Sequence, residues 1–462
     1  MTSMSKNAAL LIAFSFPILC APSEVTIIKT ATGFQLMRNG KPYFIKGAVA
    51  DHNYSEFPSL VKTEKGVELL LDGKPYASSG ADRYFDRLAA AGGNSVRARP
   101  QALDEAQQRG FAVLANIVLG KPRHGFNYND AEACARQAEQ VRQVVLRYKD
   151  HPALLMWSLG NELNVRAKRE EQLPIWKEVN RLAAMVKEID GRHPVLTVVG
   201  AVRGMLDDID RLCPALDLIG LNAYADMMTL PEDVARVGWK RPYVITEYGP
   251  MGHWQVPKTP WGYPKEQSST EKAETYMAAY RHAVDGRPNC LGSYVFHWDW
   301  HQEKTHTWYG MFLPDDSRTA AIDVITFLYS GKWPANRCPV IGASKITAAH
   351  VDEQGNGAPS LYGDFPVGAR LRCEVEASDP DGDPLTIKWE LREDRSTLDR
   401  KFDPLKGYYE EPLVSFEGAV LSSHGKAALI QLPPKPDYYR IFVYVYDGKG
   451  NAATVNYPLN AR

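Results

Sequence analysis

LLMWSLGNELNVRAKREEQLPIWKEVNRLAAMVKEIDGRHPVLTVVG, residues 154–200, holds the pattern that decides the fold. Two short β-rich runs, LLMWSLG (154–160) and VLTVVG (195–200), enclose a helical stretch, Gln172–Ile189. Strand, helix and strand in that order read as a βαβ unit, because parallel neighbours need a crossover between them.

The same alternation extends both ways from this unit. Before it come FIKGAVA (44–50), NSVRAR (94–99) and FAVLANIVL (111–119); after it come DLIGLNAYA (217–225), YVITEYG (243–249) and LGSYVFHW (291–298). Helical stretches lie between and after them at Asp82–Ala91, Leu103–Arg109, Ala131–Lys149, Arg203–Leu212, Pro231–Val237, Thr270–Asp285 and Thr319–Tyr329. Eight units close a parallel barrel, so the expectation is an α/β fold, a (β/α)8 TIM barrel. A doubly wound sheet more often carries a Gly-rich phosphate turn after its first strand, and none is present.

After SGKWPANRCPVIG (330–342) the helical stretches stop. LRCEVEA, TIKWEL, ALIQL and YRIFVYVYDG alternate in the strand period, which fits a small all-β, immunoglobulin-like sandwich. The expected division is a leader over 1–22, a barrel over 23–334 and a sandwich over 335–462. Within the sandwich, DPDGDPLTIKWEL (379–391) resembles a turn-and-strand signature of PKD-like and cadherin-like modules. Asp379, Asp381 and Asp383 either offer oxygen ligands to Ca²⁺ or form a solvated Asx turn.

The chain has 462 residues, enough for a barrel and a second domain. Apolar residues at 44% fill a large core, and a net charge of −1 without a basic tract excludes a nucleic-acid partner. Lys6 followed by the apolar run Ala8–Cys20 reads as a signal peptide, too short to span a bilayer, so a secreted or periplasmic protein is expected. Leu19 argues against a lipid anchor at Cys20. Five further cysteines, an odd number, exclude a disulfide scaffold, although Cys338 and Cys373 share a segment and could pair.

Chemistry in such a barrel sits where strands end at the C-terminal face. Strand four ends in Gly160-Asn161-Glu162 and strand seven in Thr246-Glu247-Tyr248-Gly249. Two carboxylates at one mouth suit glycoside cleavage, in which one protonates the departing oxygen and the other attacks or stabilises the anomeric carbon. A separation of about 5–5.5 Å gives retention of configuration, and about 6.5–9.5 Å gives inversion. A lone Glu at a strand end is usually an ion-paired or surface group, so the pair on strands four and seven carries the reading.

SLGNEL and ITEYG resemble the acid/base and nucleophile motifs of the clan of retaining β-glycosidases with glutamates on barrel strands four and seven. The nearest likeness is the catalytic barrel of glycoside hydrolase family 2, here without the sandwich domains that usually precede it, and it covers roughly residues 35–335. The resemblance implies that Glu162 is the general acid/base and Glu247 the nucleophile. It implies that Asn161 bonds the sugar's 2-hydroxyl, that Arg97 keeps the nucleophile ionised, that Tyr224 orients it and that Trp298 is the platform beneath the sugar. Arg99 competes with Arg97, and Tyr224 and Trp298 have an alternative place in the core. His124 faces the mouth by position. Trp254, Trp261, Trp300 and Trp308 lie in loops where aromatics suit sugar subsites.

The expected partner is a β-linked polysaccharide or oligosaccharide. WYGMF (308–312) and the loop pattern lean towards β-1,3-glucan, with galactoside, glucuronide and mannoside open. The long polar segment 51–79 after strand one and the short turn after Arg99-Pro100 suit an open cleft. No cofactor is expected, and a metal site is rejected because strand alternation sends His297 and Trp298 of HWDWH (297–301) to opposite faces. A transglycosylase using the same residues and a non-catalytic carbohydrate-binding barrel are the alternatives.

Overall fold

Each of the eight runs becomes a barrel strand: Ile45–Val49, Ser95–Ala98, Ala112–Ile117, Leu154–Asn161, Val195–Gly200, Leu218–Asn222, Tyr243–Tyr248 and Cys290–Val295. They pair in chain order, all parallel, and strand eight pairs with strand one to close the barrel. The computed structural model describes residues 21–462 except 51–58, 64–65, 72–73, 76–78, 201–205, 353–356, 360–362, 399–400, 404–406 and 411–412. The leader, apart from Ala21 and Pro22, and Cys20 with it therefore lie outside the described residues. Closure needs Gly292. Its φ is +122°, and a Cβ there would lie 2.2 Å from the Ile45 carbonyl oxygen.

Strand alternation sorts the side chains into two cores. Ala112, Leu114, Met156, Leu196, Val198 and Val244 fill the barrel interior, while Val113, Ala115, Trp157, Val195 and Ile245 pack outward against the helices. The helices lie close to expectation, among them Ala131–Tyr148, Arg169–Ile189, Ser269–Ala283 and Ala320–Ser330. Ser268 caps the third of these, its hydroxyl accepting from Glu271 N–H while the Glu271 carboxylate accepts from Ser268 N–H.

A small antiparallel sheet, Val25–Lys29, Phe34–Arg38 and Lys41–Tyr43, precedes the barrel and was not anticipated. Its Val25 N–H donates to Arg192 O and its Phe34 N–H to Pro288 O, just ahead of strands five and eight. Val25 and Leu36 join the interior core, so this sheet plugs the end of the barrel away from the strand C-termini. The long segment after strand one contains three short strands, Ser59–Thr63, Gly66–Leu71 and Lys74–Pro75, paired antiparallel.

From Val340 on, every element among the described residues is a strand. A five-stranded sheet and a four-stranded sheet enclose one core containing Leu371, Cys373, Val375, Trp389, Ile441, Val443 and Val455. One pair, Asp364–Phe365 with Asn460–Ala461, is parallel. Cys338 and Cys373 are both buried and free. They do not pair because Cys338 packs into the barrel core and Cys373 into the sandwich core. Asp379 accepts from the N–H groups of Asp381 and Asp383, which is the Asx turn, and Asp381 turns away to accept from Arg337 N–H. Asp447, rather than Asp381, brings its carboxylate within 4.8 Å of those of Asp379 and Asp383.

The sandwich is fixed to the loops that follow strands seven and eight. Buried Glu266 accepts from Lys272 Nζ at 2.5 Å, Thr305 Oγ1 at 2.6 Å, Thr307 Oγ1 at 2.9 Å and, from the sandwich, Asn456 Nδ2 at 2.6 Å. Arg440 of the sandwich donates to Pro264 O at 3.0 Å, and His306 meets the Tyr444 hydroxyl at 2.5 Å. Among the described residues, no helix is long and apolar enough to cross a membrane.

Candidate active site

The two strand ends that carry the glutamates are irregular. Strand four shifts register against strand five between Ser158 and Asn161, and strand seven shifts against strand eight between Ile245 and Tyr248. Such bulges re-aim the side chains that follow them. Gly160 has φ +74° and Glu162 has φ +54°, so the backbone turns sharply and swings the Glu162 carboxylate over the mouth. Gly200, ending strand five, leaves room for it. A Cβ there would stand 3.0 Å from Glu162 Oε1.

Arg97 ties the mouth together from the end of strand two. Its Nη1 donates to Glu247 Oε1 at 2.7 Å and to Thr246 O at 3.1 Å, its Nη2 to Asn161 Oδ1 at 2.9 Å, and its Nε to Asn116 Oδ1 at 3.3 Å. The Arg97 side chain is 1% exposed and that of Glu247 is 12% exposed, so the pair is shielded while the carboxylate still meets the cleft. It is Arg97, not Arg99, that bonds the glutamate. Tyr224 donates from its hydroxyl to Glu247 Oε2 at 3.3 Å. Burial, reinforced by the negative charge of Glu247, pushes the Tyr224 phenol well above its ordinary range, so it stays protonated as a donor.

Asn222, at the end of strand six, completes the connection. Its Nδ2 donates to Glu162 Oε1 at 3.0 Å and to Asn161 Oδ1 at 3.1 Å, and its Oδ1 accepts from Thr246 Oγ1 at 2.8 Å. An unbroken hydrogen-bond path therefore runs Glu162, Asn222, Asn161, Arg97, Glu247. The Asn161 carbonyl oxygen is taken by two donors. Its amide nitrogen donates to nothing among the described residues, which leaves it available to a sugar hydroxyl.

The loop after strand three adds groups that the sequence reading passed over. Arg123 donates to Glu162 O at 2.8 Å and places Nη2 3.8 Å from Glu162 Oε2. Lys121 lies within the fields of Glu162, Glu247, Arg97 and Arg123. Burial, and then Arg123, bring its ammonium down to about 8. The sequence signal for both was the run KPRH after a barrel strand, from which only His124 was taken. His124 is exposed, and none of its described contacts is with either glutamate; burial, Arg123 and Lys121 lower its pKa.

Trp298 is not brought to the site. At 1% exposure it sits in the core between barrel and helices, edge-on to Phe312 with ring centroids 5.8 Å apart. Strand eight ends at Val295, so residue 298 lies beyond the strand end at which the resemblance put it. Phe296 takes the inward position, edge-on to Tyr224. Of the loop tryptophans, Trp254 is 56% exposed and packs edge-on to Tyr224, so its ring borders the mouth. Trp300 is also exposed, Trp308 is buried with Nε1 donating to Met251 O, and Trp261 stacks on Tyr438 of the sandwich.

Residues 101–286 match the family profile described as Glycosyl hydrolases family 2, TIM barrel domain. The matched stretch takes in barrel strands three to seven, with both glutamates. A β-glucuronidase of Paenibacillus borealis is 24% identical over 224 residues, covering 42% of this chain and 34% of the relative. A β-glucuronidase of Streptococcus agalactiae is 26% identical over 215 residues, covering 42% and 33%. A β-galactosidase of Lactococcus lactis is 30% identical over 125 residues, covering 26% and 11%. The chain thus spans about a third of the length of the first two relatives. Among solved structures, a calcium-binding mutant of Bacteroides uniformis β-glucuronidase 2 superposes with a TM-score of 0.50 at 14% identity, covering 95% of this chain and 48% of that one. That likeness shows the fold alone.

Proposed function

We propose that the protein is a retaining β-glycosidase in which Glu247 is the nucleophile and Glu162 the general acid/base. The observation that carries this reading is the hydrogen-bond path joining the two carboxylates through Asn222, Asn161 and Arg97. Glu247, paired with Arg97 and Tyr224, is held as a carboxylate facing the cleft, which is the form that attacks an anomeric carbon. Glu162 donates its proton to the departing oxygen as that bond breaks. It then takes a proton from water, whose oxygen displaces Glu247 from the sugar. Asn161 Nδ2 binds the hydroxyl beside the reacting carbon, where contacts strengthen in the transition state.

For the sugar that is transferred, the names of the sequence relatives favour a β-glucuronide or β-galactoside over the β-1,3-glucan first expected, which has no support among them. The exposed face of Trp254 is the stacking surface for that sugar or its neighbour. We read the C-terminal sandwich as an immunoglobulin-like module that braces the loops after strands seven and eight, and the leader as an export signal.

The test is hydrolysis of 4-nitrophenyl β-glucuronide, β-galactoside and β-glucoside by wild type and Glu247→Ala. Turnover of one glycoside by wild type, lost in the variant and partly restored by azide as the α-glycosyl azide, supports the assignment. Equal turnover by both proteins sinks Glu247 as nucleophile.

A further inference from the structure

Counting charge at the mouth among the described residues leaves a surplus. Arg97 is matched by Glu247 at 2.7 Å. Lys121 and Arg123 remain, with Glu162 as the one other carboxylate among the described residues that couples to Lys121. In the proposed reaction Glu162 must enter the first step protonated, because it supplies the proton to the leaving oxygen. When substrate is bound, the two cations beside Glu162 then keep only the weaker field of Glu247, which is already paired with Arg97. Among the described residues no hydrogen bond or ion pair engages the Lys121 ammonium, although the side chain is half-buried. Holding a lysine and an arginine together in a partly desolvated cleft is unfavourable unless an anion joins them.

Their position says which part of a substrate they meet. Arg123 contacts Glu162 through both its carbonyl and its carboxylate, and Glu162 is the stronger of the two carboxylate fields at Lys121. The acid/base stands beside the leaving oxygen, whereas the nucleophile stands beneath the sugar that is transferred. Groups clustered on Glu162 therefore line the leaving-group side. We propose that Lys121 and Arg123 form an anion-binding subsite there, and that the natural substrate carries an anionic oxygen group, a uronate carboxylate or a sulfate ester, on the sugar that departs. This rests on the retaining-glycosidase reading above. Arg123 offers a planar fork suited to carboxylate or sulfate, and Lys121 adds a compact charge.

The experiment compares three aryl β-glycosides of the sugar preferred in the nitrophenyl panel, with 4-carboxyphenyl, 4-sulfophenyl and uncharged 4-carbamoylphenyl leaving groups. Wild type should prefer the charged ones by about tenfold or more in kcat/KM, chiefly through KM, and added salt should shrink the preference. The carboxylate and sulfonate arms show which anion is read. Lys121→Met and Arg123→Gln should bring the ratio of charged to uncharged substrate near unity, while Lys121→Arg keeps most of it. The wild-type ratio should also fall above a pH of about 8 as Lys121 loses its proton, a loss that burial, Arg123 and Arg97 favour and Glu162 and Glu247 oppose. Melting curves confirm that each variant is folded. An active wild type with equal kcat/KM on all three substrates overturns the subsite and leaves the glycosidase reading intact. So does a variant that slows all three alike, since that is the mark of a purely structural or tuning role. Failure of wild type on every glycoside in both panels overturns the two together.

Discussion

Two glutamates in the strand-seven region are both held by cations, and their surroundings differ in one respect. Glu266 has a 1% exposed side chain and accepts from Lys272, Thr305, Thr307 and Asn456, four donors drawn from a barrel helix, a barrel loop and the sandwich. Burial would raise its pKa, but Lys272, Thr305 and Arg440 overrule that and hold it below the usual carboxylate range. Glu247 is held by Arg97 and Tyr224 with a 12% exposed side chain at the floor of a cleft. A buried carboxylate surrounded on every side by its own protein is a structural joint. One that is oriented and charged but still reachable can do chemistry.

The sharpest way to break that comparison is to neutralise each glutamate in turn. Glu247→Gln should lower kcat at least about 10³-fold with a melting temperature near wild type. Glu266→Gln should destabilise the fold by about 3–5 kcal/mol, because Lys272 is left buried without its counter-charge, while folded protein keeps its kcat. Chemical denaturation and kinetics on the same preparations measure both. A Glu266→Gln protein that is stable but inactive would show the distinction to be false.

Glu162→Ala should cost about 10²–10⁴-fold on glycosides with poor leaving groups and little on nitrophenyl ones, which depart without help. Equal losses on both would assign Glu162 a role other than proton transfer. Asn222→Ala removes the donor to Glu162 Oε1 and one of the two donors to Asn161 Oδ1, and should cost about 10–100-fold in kcat with KM moved less. A change confined to KM would place Asn222 in ground-state binding instead.

The smallest effect belongs to the joint. Burial, then Arg392, lowers His306 from about 6.5 to about 4, so the folded protein keeps it neutral. A histidine with a depressed folded pKa contributes stability above its unfolded value, and that contribution is lost as pH falls from about 6.5 through about 4. About 2 kcal/mol should be gone at pH 5. His306→Phe should flatten this slope between pH 7 and pH 5 in urea unfolding, and an unchanged slope would assign it to other groups.

The barrel was legible because each of its strands is a short apolar run followed by a helix, and eight such units have one closed solution. Glu162 and Glu247 could be set at one mouth because strand ends fix which side chains meet there, whereas Arg97, Asn161 and Tyr224 came only with the resemblance; hydrogen bonds link all five in the structure. Trp298 was taken from the resemblance as the end of strand eight, but the strand stops at Val295 and the chain beyond it turns this ring into the core. Lys121 and Arg123 were passed over because a polar run in a loop has no period, and nothing local tells a cleft-facing cation from a solvated one. The plug at the barrel's closed end was missed because its strands are short, and only the barrel supplies the apolar surface they bury.

Glu162 itself shapes what selection can do with this protein. A non-glycine residue at φ +54° costs the fold on the order of 1 kcal/mol, and glycine or asparagine would bear that conformation more easily. Under the proposed mechanism this is the carboxylate that donates the proton, so drift towards greater stability favours its loss. On that reading, a lineage relieved of the need for turnover should surrender this position early, and a Gly or Asn at 162 in an otherwise intact barrel would mark a relative left without its proton donor.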